Sequence, residues 1–408
     1  MLGYAIRNSF SVFYPVIVEE FNWGRGDTAL MFSIAILVYG LAAPIVGSLV
    51  DKFEPRLVLT VGACIMGTGI ALCSQATTQW QFYLFYGVIV AIGLSVTGWT
   101  PITAIVSNWF VKKRGLVFGI LSAGFAMSLV SACMAQFLIS SFGWRTSYII
   151  IGIFSIVFII PLCVFVIRRS PREKGLQPDG MPETPSESHS PHELQARDST
   201  QKGWAGTTWT LSRAMKTYQL WLLFLISFCL MGFVEQIAIA HQLYFFRDVG
   251  YHPMQAATIY GVFGVAFAVG NLCGSFSDRV GREKVFLPSC LLGMGGVSLL
   301  FLIEDTSRPW LPFLFALCLG LGLGAAVTPF FATVADLFHG EHFGSIQGFI
   351  VLGFSLGGTI SPWLAGFVHD KTGSYYLVLF VLLGAFAACA VLMWLVAPRK
   401  LGSVPGHA

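Results

Sequence analysis

Two ionisable side chains stand inside long apolar runs of this sequence, and they set the chemistry to look for: Arg7, in the first run, and Glu235, in the run over 217–242. A charge at the middle of a bilayer costs roughly 2.5–3.5 kcal/mol on insertion scales, so such a residue faces a cavity or a partner. A guanidinium is built to hold a carboxylate, and a carboxyl group kept from water takes up a proton more readily. Arg7 shares a helical face with Tyr4, Asn8, Ser11 and Tyr14, a polar and aromatic stripe. Glu235 is followed by Gln236, with His241 and Gln242 about two turns further on. Trp99, Phe330 and Phe331 stand in other apolar runs, where they either pack or line a cavity. Plainer readings stay open beside these. Arg7 could snorkel to an interface, Glu235 could be a structural carboxylate bonded to neighbouring helices or paired with Arg7, and His241 could sit at the outer interface.

The elements that must position these groups follow from composition. The chain is 55% hydrophobic and 11% charged, more apolar side chain than a soluble fold can dispose of. Crossing a hydrocarbon core of about 30 Å takes about 20 apolar residues of helix. Twelve such runs are present, roughly 2–21, 28–50, 56–76, 81–107, 115–139, 146–168, 217–242, 254–277, 285–303, 309–335, 344–368 and 375–397. The expected fold is an all-α membrane protein of twelve transmembrane helices in two pseudo-symmetric six-helix bundles. Residues 1–168 form the first bundle, 169–215 a polar linker, 216–398 the second bundle and 399–408 a tail. The linker, rich in Ser, Pro, Glu and His, is too polar to bury a core. At its end Leu211, Ala214, Met215 and Tyr218 share a face after Thr210, which predicts a short helix on the membrane surface.

Eighteen of the twenty-four Lys and Arg fall in alternate connections and the tail, against five in the opposite connections, Arg25, Arg145, Arg247, Arg308 and Lys371. The richer side is cytoplasmic, and with an even number of helices both termini of this cell-membrane protein are expected in the cytoplasm. The net charge of +4 reflects this bias and implies no nucleic acid. The nine cysteines lie in or near apolar runs without ligand-like pairing and read as small packing residues. No HExxH pattern, set of converging carboxylates or P-loop is present, so neither an enzyme nor direct use of ATP is expected, and no cofactor or metal. No secretory signal precedes the first run, so targeting is expected from that run. Only six residues precede Arg7, about 9 Å of helix, which makes the first helix short and points to a start upstream.

The two halves repeat each other. Gly47-Ser48-Leu49-Val50-Asp51-Lys52 recurs as Gly274-Ser275-Phe276-Ser277-Asp278-Arg279, and Gly115, Gly119 and Gly124 recur 229 positions on as Gly344, Gly348 and Gly353. Duplicated bundles are how many secondary carriers are built, with the solute site at the midplane between them.

Those paired segments resemble the signature loop of the major facilitator superfamily. The second copy, Gly274, Asp278, Arg279, Gly281, Arg282 and Lys284, is a good match; the first has Glu54 where Gly is usual, so its turn is expected to be strained or reshaped. The resemblance implies a cytoplasmic latch, with Asp278 beside Lys112, Lys113 and Arg114 at the start of the fifth helix and Asp51 at the start of the eleventh, near His342. Within the superfamily, Trp109 to Gly119 and on to Gly124 is similar to a segment of the monocarboxylate porters and the oxalate and formate carriers. Asn8-Ser9-Phe10-Ser11 aligns with a segment of theirs that often begins with lysine. In the eighth helix an Asp and an Arg of animal members correspond to Ala266 and Gly270, and an Arg of some bacterial members to Asn271.

The expectation is a carrier of a small organic anion, a monocarboxylate moved with a proton, working as a monomer by alternating access; an anion exchanger of the oxalate and formate type, or a carrier of another small solute, is the alternative. Arg7, Asn8, Ser11, Tyr14, Trp99, Asn271, Phe330 and Phe331 are the candidate solute contacts, Glu235 and His241 the proton carriers, and Asp51, Lys112, Lys113, Arg114, Asp278, Arg279 and Arg282 the cytoplasmic gate. A channel fits the hydrophobicity but not the duplicated latch, and a receptor derived from a carrier would bind solute without exchanging it. The charge bias predicts that cysteines introduced near Ser188 react with impermeant thiol reagents only from the cytoplasmic side; labelling of intact cells there would reverse the orientation.

Overall fold

The computed structural model describes residues 2–99, 101–102, 105, 109, 114–168, 209–338 and 343–396. Among them there is no strand, and ten helices are long and apolar enough to cross a membrane. The longest of these, Ile120–Phe165, is two passes, because Gly143 takes a left-handed conformation (φ 75°) that turns the chain back. One more pass, the first, is made of two stacked pieces, Leu2–Asn8 and Phe10–Phe21. Twelve passes result, in two pseudo-symmetric bundles. In order, the second to fourth are Arg25–Lys52, Pro55–Cys73 and Gln79–Thr97. The fifth and sixth run from Arg114 through the break at Gly143 to Phe165. The seventh to twelfth are Tyr218–Val249, Pro253–Gly274, Arg282–Leu302, Leu311–Leu337, Phe343–Thr372 and Tyr376–Val396.

With no water in the bilayer to satisfy a main-chain amide, helices are the form that carries these runs across. Their outer surface keeps large apolar groups bare. Met134, Leu291 and Phe380 are 63%, 63% and 62% exposed, a waste of hydrophobic surface in water and a match for lipid tails. Lipid is as apolar as the side chains, so helices associate through close contact rather than exclusion from water. Small residues make that contact possible. A Cβ on Gly320 of the tenth helix would lie 2.6 Å from the Phe263 carbonyl oxygen of the eighth. A Cβ on Gly232 of the seventh would lie 2.7 Å from the Phe354 oxygen of the eleventh, and one on Gly264 of the eighth 2.6 Å from Leu129 of the fifth. The first two contacts lie within the second half, and the last joins the halves.

Two local features take a definite form. In the first copy of the repeated loop Glu54 is extended (φ −66°, ψ 123°) and Pro55 opens the third helix, so no positive φ is required; Gly281 of the second copy does take one (φ 110°). The loop is reshaped rather than strained. The surface helix after the linker is a single turn, Leu211–Ala214, capped by Thr210 accepting from the Arg213 amide. Ala214 is fully buried and the Trp209 ring packs edge-on against Phe338, while Met215 and Tyr218 are exposed. The turn is docked on protein through its smallest residue.

Adding one methyl group at Gly320 should force main chain apart and cost on the order of 1–3 kcal/mol. Gly320→Ala is expected to lower the thermal unfolding midpoint in detergent by several degrees, whereas Gly295→Ala, which meets nothing within 4 Å, should leave it unchanged.

Candidate functional site

A cavity of about 110 Å³ lies between the two halves. It is several times the roughly 10–15 Å³ that one water molecule needs by the same measure. Its wall is strongly aromatic, with Trp99, Phe125, Phe267, Phe331 and Phe354, and its polar groups converge from both bundles: Tyr4, Arg7, Tyr39 and Ser122 from the first, Glu235 and Asn271 from the second. This is the pattern of a small-solute site, an apolar chamber with few placed polar groups.

Arg7 is positioned by a locally loosened helix. The hydroxyls of Ser9 and Ser11 donate to the carbonyls of Ile6 (2.7 Å) and Asn8 (2.9 Å), a competition that bends helices. The Tyr86 hydroxyl of the fourth helix donates to the Arg7 carbonyl at 2.9 Å. The Arg7 side chain, 6% exposed, crosses to the other half and donates to Gln236 Oε1, with its guanidinium 5.5 Å from the Phe32 ring centre and 5.9 Å from that of Phe354. Gln236 in turn donates through Nε2 to Glu235 Oε1 and to the Met231 carbonyl, both at 3.3 Å. Glu235 is 3% exposed and closes a π-helical stretch, Ser227–Glu235, before the seventh helix resumes α geometry. Such stretches recur at functional sites. The result is one chain of polar groups, guanidinium to amide to carboxylate, spanning the boundary between halves.

Of the residues expected from sequence, Arg7, Trp99, Glu235, Asn271 and Phe331 meet at this cavity. Asn271 is fixed by its neighbours, its Nδ2 donating to Phe267 O and the Thr328 hydroxyl donating to its carbonyl at 2.8 Å. The others lie elsewhere. Asn8 donates to the Ser128 hydroxyl at 2.8 Å, tying the first helix to the fifth, and Ser11 is buried one turn along. Phe330 is fully buried behind Phe331, with ring centres 5.2 Å apart. Tyr39, Phe125, Phe267 and Phe354 were not singled out by sequence, because an aromatic in a membrane helix gives no sign of which face it lines.

Tyr14 and His241 belong to a second constellation, at the end of the bundle that the charge bias assigns to the outside. Its centre is Arg25. The guanidinium holds both carboxylate oxygens of Asp248 from the other half, one of them at 2.8 Å, and lies 3.8 Å from the Tyr244 ring centre. The main-chain amides of Arg25 and Gly26 donate to the two oxygens of Asp370, at 3.1 and 2.8 Å. The Tyr14 hydroxyl donates to the Arg25 carbonyl at 2.8 Å. A chain leads inward from Arg25 to the Tyr375 hydroxyl (3.3 Å) and on to His241 Nδ1 (3.2 Å). His241 Nε2 faces the Pro362 carbonyl at 2.8 Å, an acceptor that assigns the imidazole proton to Nε2. Glu19 and Arg247 add a further pair across the halves at 2.8 Å.

At the opposite end, Lys112, Lys113 and His342, with the side chains of Asp51, Arg114 and Asp278, lie outside the described residues. Arg279 is exposed. Arg282 bonds Asp336 of the tenth helix at 3.0 Å and the Ser277 hydroxyl at 2.9 Å, contacts made inside the second half.

A family model described as the Major Facilitator Superfamily matches residues 1–362 and 272–407. Monocarboxylate transporter 2 of Homo sapiens is 27% identical over 91% of this chain and 78% of its own. Monocarboxylate transporter 13 of Rattus norvegicus is 25% identical over 94% and 83%, and the uncharacterized MFS-type transporter YcxA of Bacillus subtilis (strain 168) 25% over 92% and 87%. Among solved structures, a bacterial homolog of the human lysosomal transporter Spinster, inward-facing and unoccupied, superposes with a TM-score of 0.65, covering 99% of this chain and 96% of that one at 17% identity, a likeness of fold.

The Arg25 cluster predicts its own test. In a background without native cysteines, a cysteine at Ser11, buried between the cavity and the cluster, should react at least tenfold faster with an impermeant thiol reagent when Arg25→Ala is added; an unchanged rate would mean that the cluster does not close that end.

Proposed function

This chain belongs to the Major Facilitator Superfamily, and from that membership we propose that it is a secondary active carrier of a small organic anion, a monocarboxylate moved together with a proton by alternating access. One observation carries the reading: a buried arginine and a buried carboxyl group line the same small cavity at the boundary of two repeated bundles. Arg7 supplies the charge and the planar donor pair that a carboxylate fits. Glu235 supplies the proton site. An anion that entered beside an ionised Glu235 would meet a like charge, and two such charges about 4 Å apart cost about 4 kcal/mol at an effective dielectric near 20. Protonation of Glu235 removes that cost, so proton and anion each favour the other's binding by the same factor. Asn271 and the aromatic wall set the shape of the solute's uncharged end. The Arg25 cluster closes the outer side, and the duplicated loops with Asp51 and Asp278 act as the latch of the cytoplasmic side. The relatives named as monocarboxylate transporters support the solute class.

Uptake of labelled propionate, lactate and oxalate into proteoliposomes, with and without an inward proton gradient, tests the proposal. Propionate or lactate should accumulate only with the gradient, and uptake should rise as the outside pH falls. Gradient-independent exchange of oxalate would favour the exchanger instead. Glu235→Gln, which keeps the shape of the protonated carboxyl, should abolish proton-driven accumulation yet retain solute exchange, and Arg7→Ala should weaken both at least tenfold. If Glu235→Gln accumulates solute at the wild-type level, the proton site is elsewhere.

A further inference from the structure

The residue between the two charges has a role of its own. Gln236 is fully buried, and it is absent from the cavity wall that Arg7 and Glu235 both line. Its stem is held against the eleventh helix, where a Cβ on Gly358 would come within 3.0 Å of its Cγ. Its two ends face opposite ways chemically. The carbonyl oxygen accepts from Arg7, and the amide nitrogen donates to Glu235.

We propose that Gln236 is the coupling residue of this site, an internal amide that occupies Arg7 while the cavity is empty and yields it to the carboxylate of the solute. The inference rests on the organic-anion reading above. An amide oxygen carries partial negative charge in the plane that a guanidinium prefers, so Gln236 stands where one oxygen of a bound carboxylate would stand. An incoming carboxylate, with a full charge and two oxygens, makes the stronger bonds and displaces it. The displacement has a second effect. Gln236 Nε2 donates to Glu235 in a form that stabilises the ionised carboxylate, and that bond is weakened when the amide is pushed from its place. Glu235 then faces a new anion with one donor fewer, and both changes favour its protonated form. The proton comes from water on the open side and returns to water on the other side when the anion leaves and Gln236 reclaims Arg7. Among the described residues, the titratable groups around Glu235 are Arg7 and Tyr4 of the first helix, Tyr39 of the second and Tyr260 of the eighth. Arg7 is the cation among them, so its partner determines the balance. The same exchange joins binding to movement, because the Arg7–Gln236 bond ties one half to the other and is released as solute binds.

The experiment measures propionate and oxalate binding to purified wild type, Gln236→Met and Gln236→Glu at pH 6, 7 and 8, with thermal unfolding as a check of fold. Gln236→Met fills a similar space with only a weak thioether acceptor and no donor. It should bind propionate about tenfold more tightly at pH 8, the factor that 1.4 kcal/mol represents, and with a flatter pH dependence than wild type. Gln236→Glu places an anion on Arg7 and should weaken binding at least tenfold at pH 8. Should Gln236→Met fail to fold, Gln236→Asn, too short to keep its bond to Arg7, serves in its place. Wild-type affinity and pH slope in the folded variants would overturn the role of Gln236 while leaving the organic-anion reading intact. If wild type itself binds neither propionate nor oxalate, that reading falls and this inference with it.

Discussion

An arginine enclosed between two helix bundles must be satisfied by whatever faces it, and here the facing group comes from the other bundle. Arg7 and Gln236 are 229 positions apart, the same offset that relates the repeated glycines Gly115 and Gly344. The two residues lie in corresponding helices of the two copies, the first and the seventh. Most of what surrounds them follows from that contact. The cavity opens beside it, the loosened first helix and the π-helical seventh helix present it, and the Arg25 cluster stands further along the same two helices.

The bilayer explains why so few polar groups carry so much. Charges within the spans are costly, so those retained are placed against one another, and the remaining helix surface is left to small residues and lipid. Gly232, Gly264 and Gly320 bring main chains together where any side chain would hold them apart. Between the halves, close main-chain approaches, such as Gly264 to the fifth helix and Gly366 to Gly26 of the second, stand beside the polar contacts at the cavity and at the Arg25 cluster.

Sequence reading reached the twelve passes and the duplication because both are properties of long windows, in which apolar length and a nearly constant offset stand out. It reached Arg7 and Glu235 because an isolated charge in an apolar run is conspicuous. Gln236 was not legible as an intermediary, since an amide next to a carboxylate carries no mark of what lies across the cavity. Nor was the Arg25 cluster: Arg25, Asp248 and Asp370 stand at helix ends, 223 and 345 positions apart, and charges at helix ends are ordinary. Tyr14 shares a face with Arg7 in a helical projection, whereas His241, six residues after Glu235, is turned away from it; both sit far enough along the axis to join that cluster instead.

The π-helical stretch that ends at Glu235 holds more residues per turn than the α-helix on either side of it. Each residue of an α-helix advances the azimuth by about 100°. If the stretch relaxed by one residue to α geometry, everything beyond it would be screwed around the axis by about that angle, with a shift of only about 1.5 Å along it. The seventh helix is thus wound like a screw with a spare part-turn. Tyr244 and Asp248 lie beyond that joint, so such a turn would withdraw them from Arg25 as well and link the geometry beside the carboxyl group to the contact at the end of the helix.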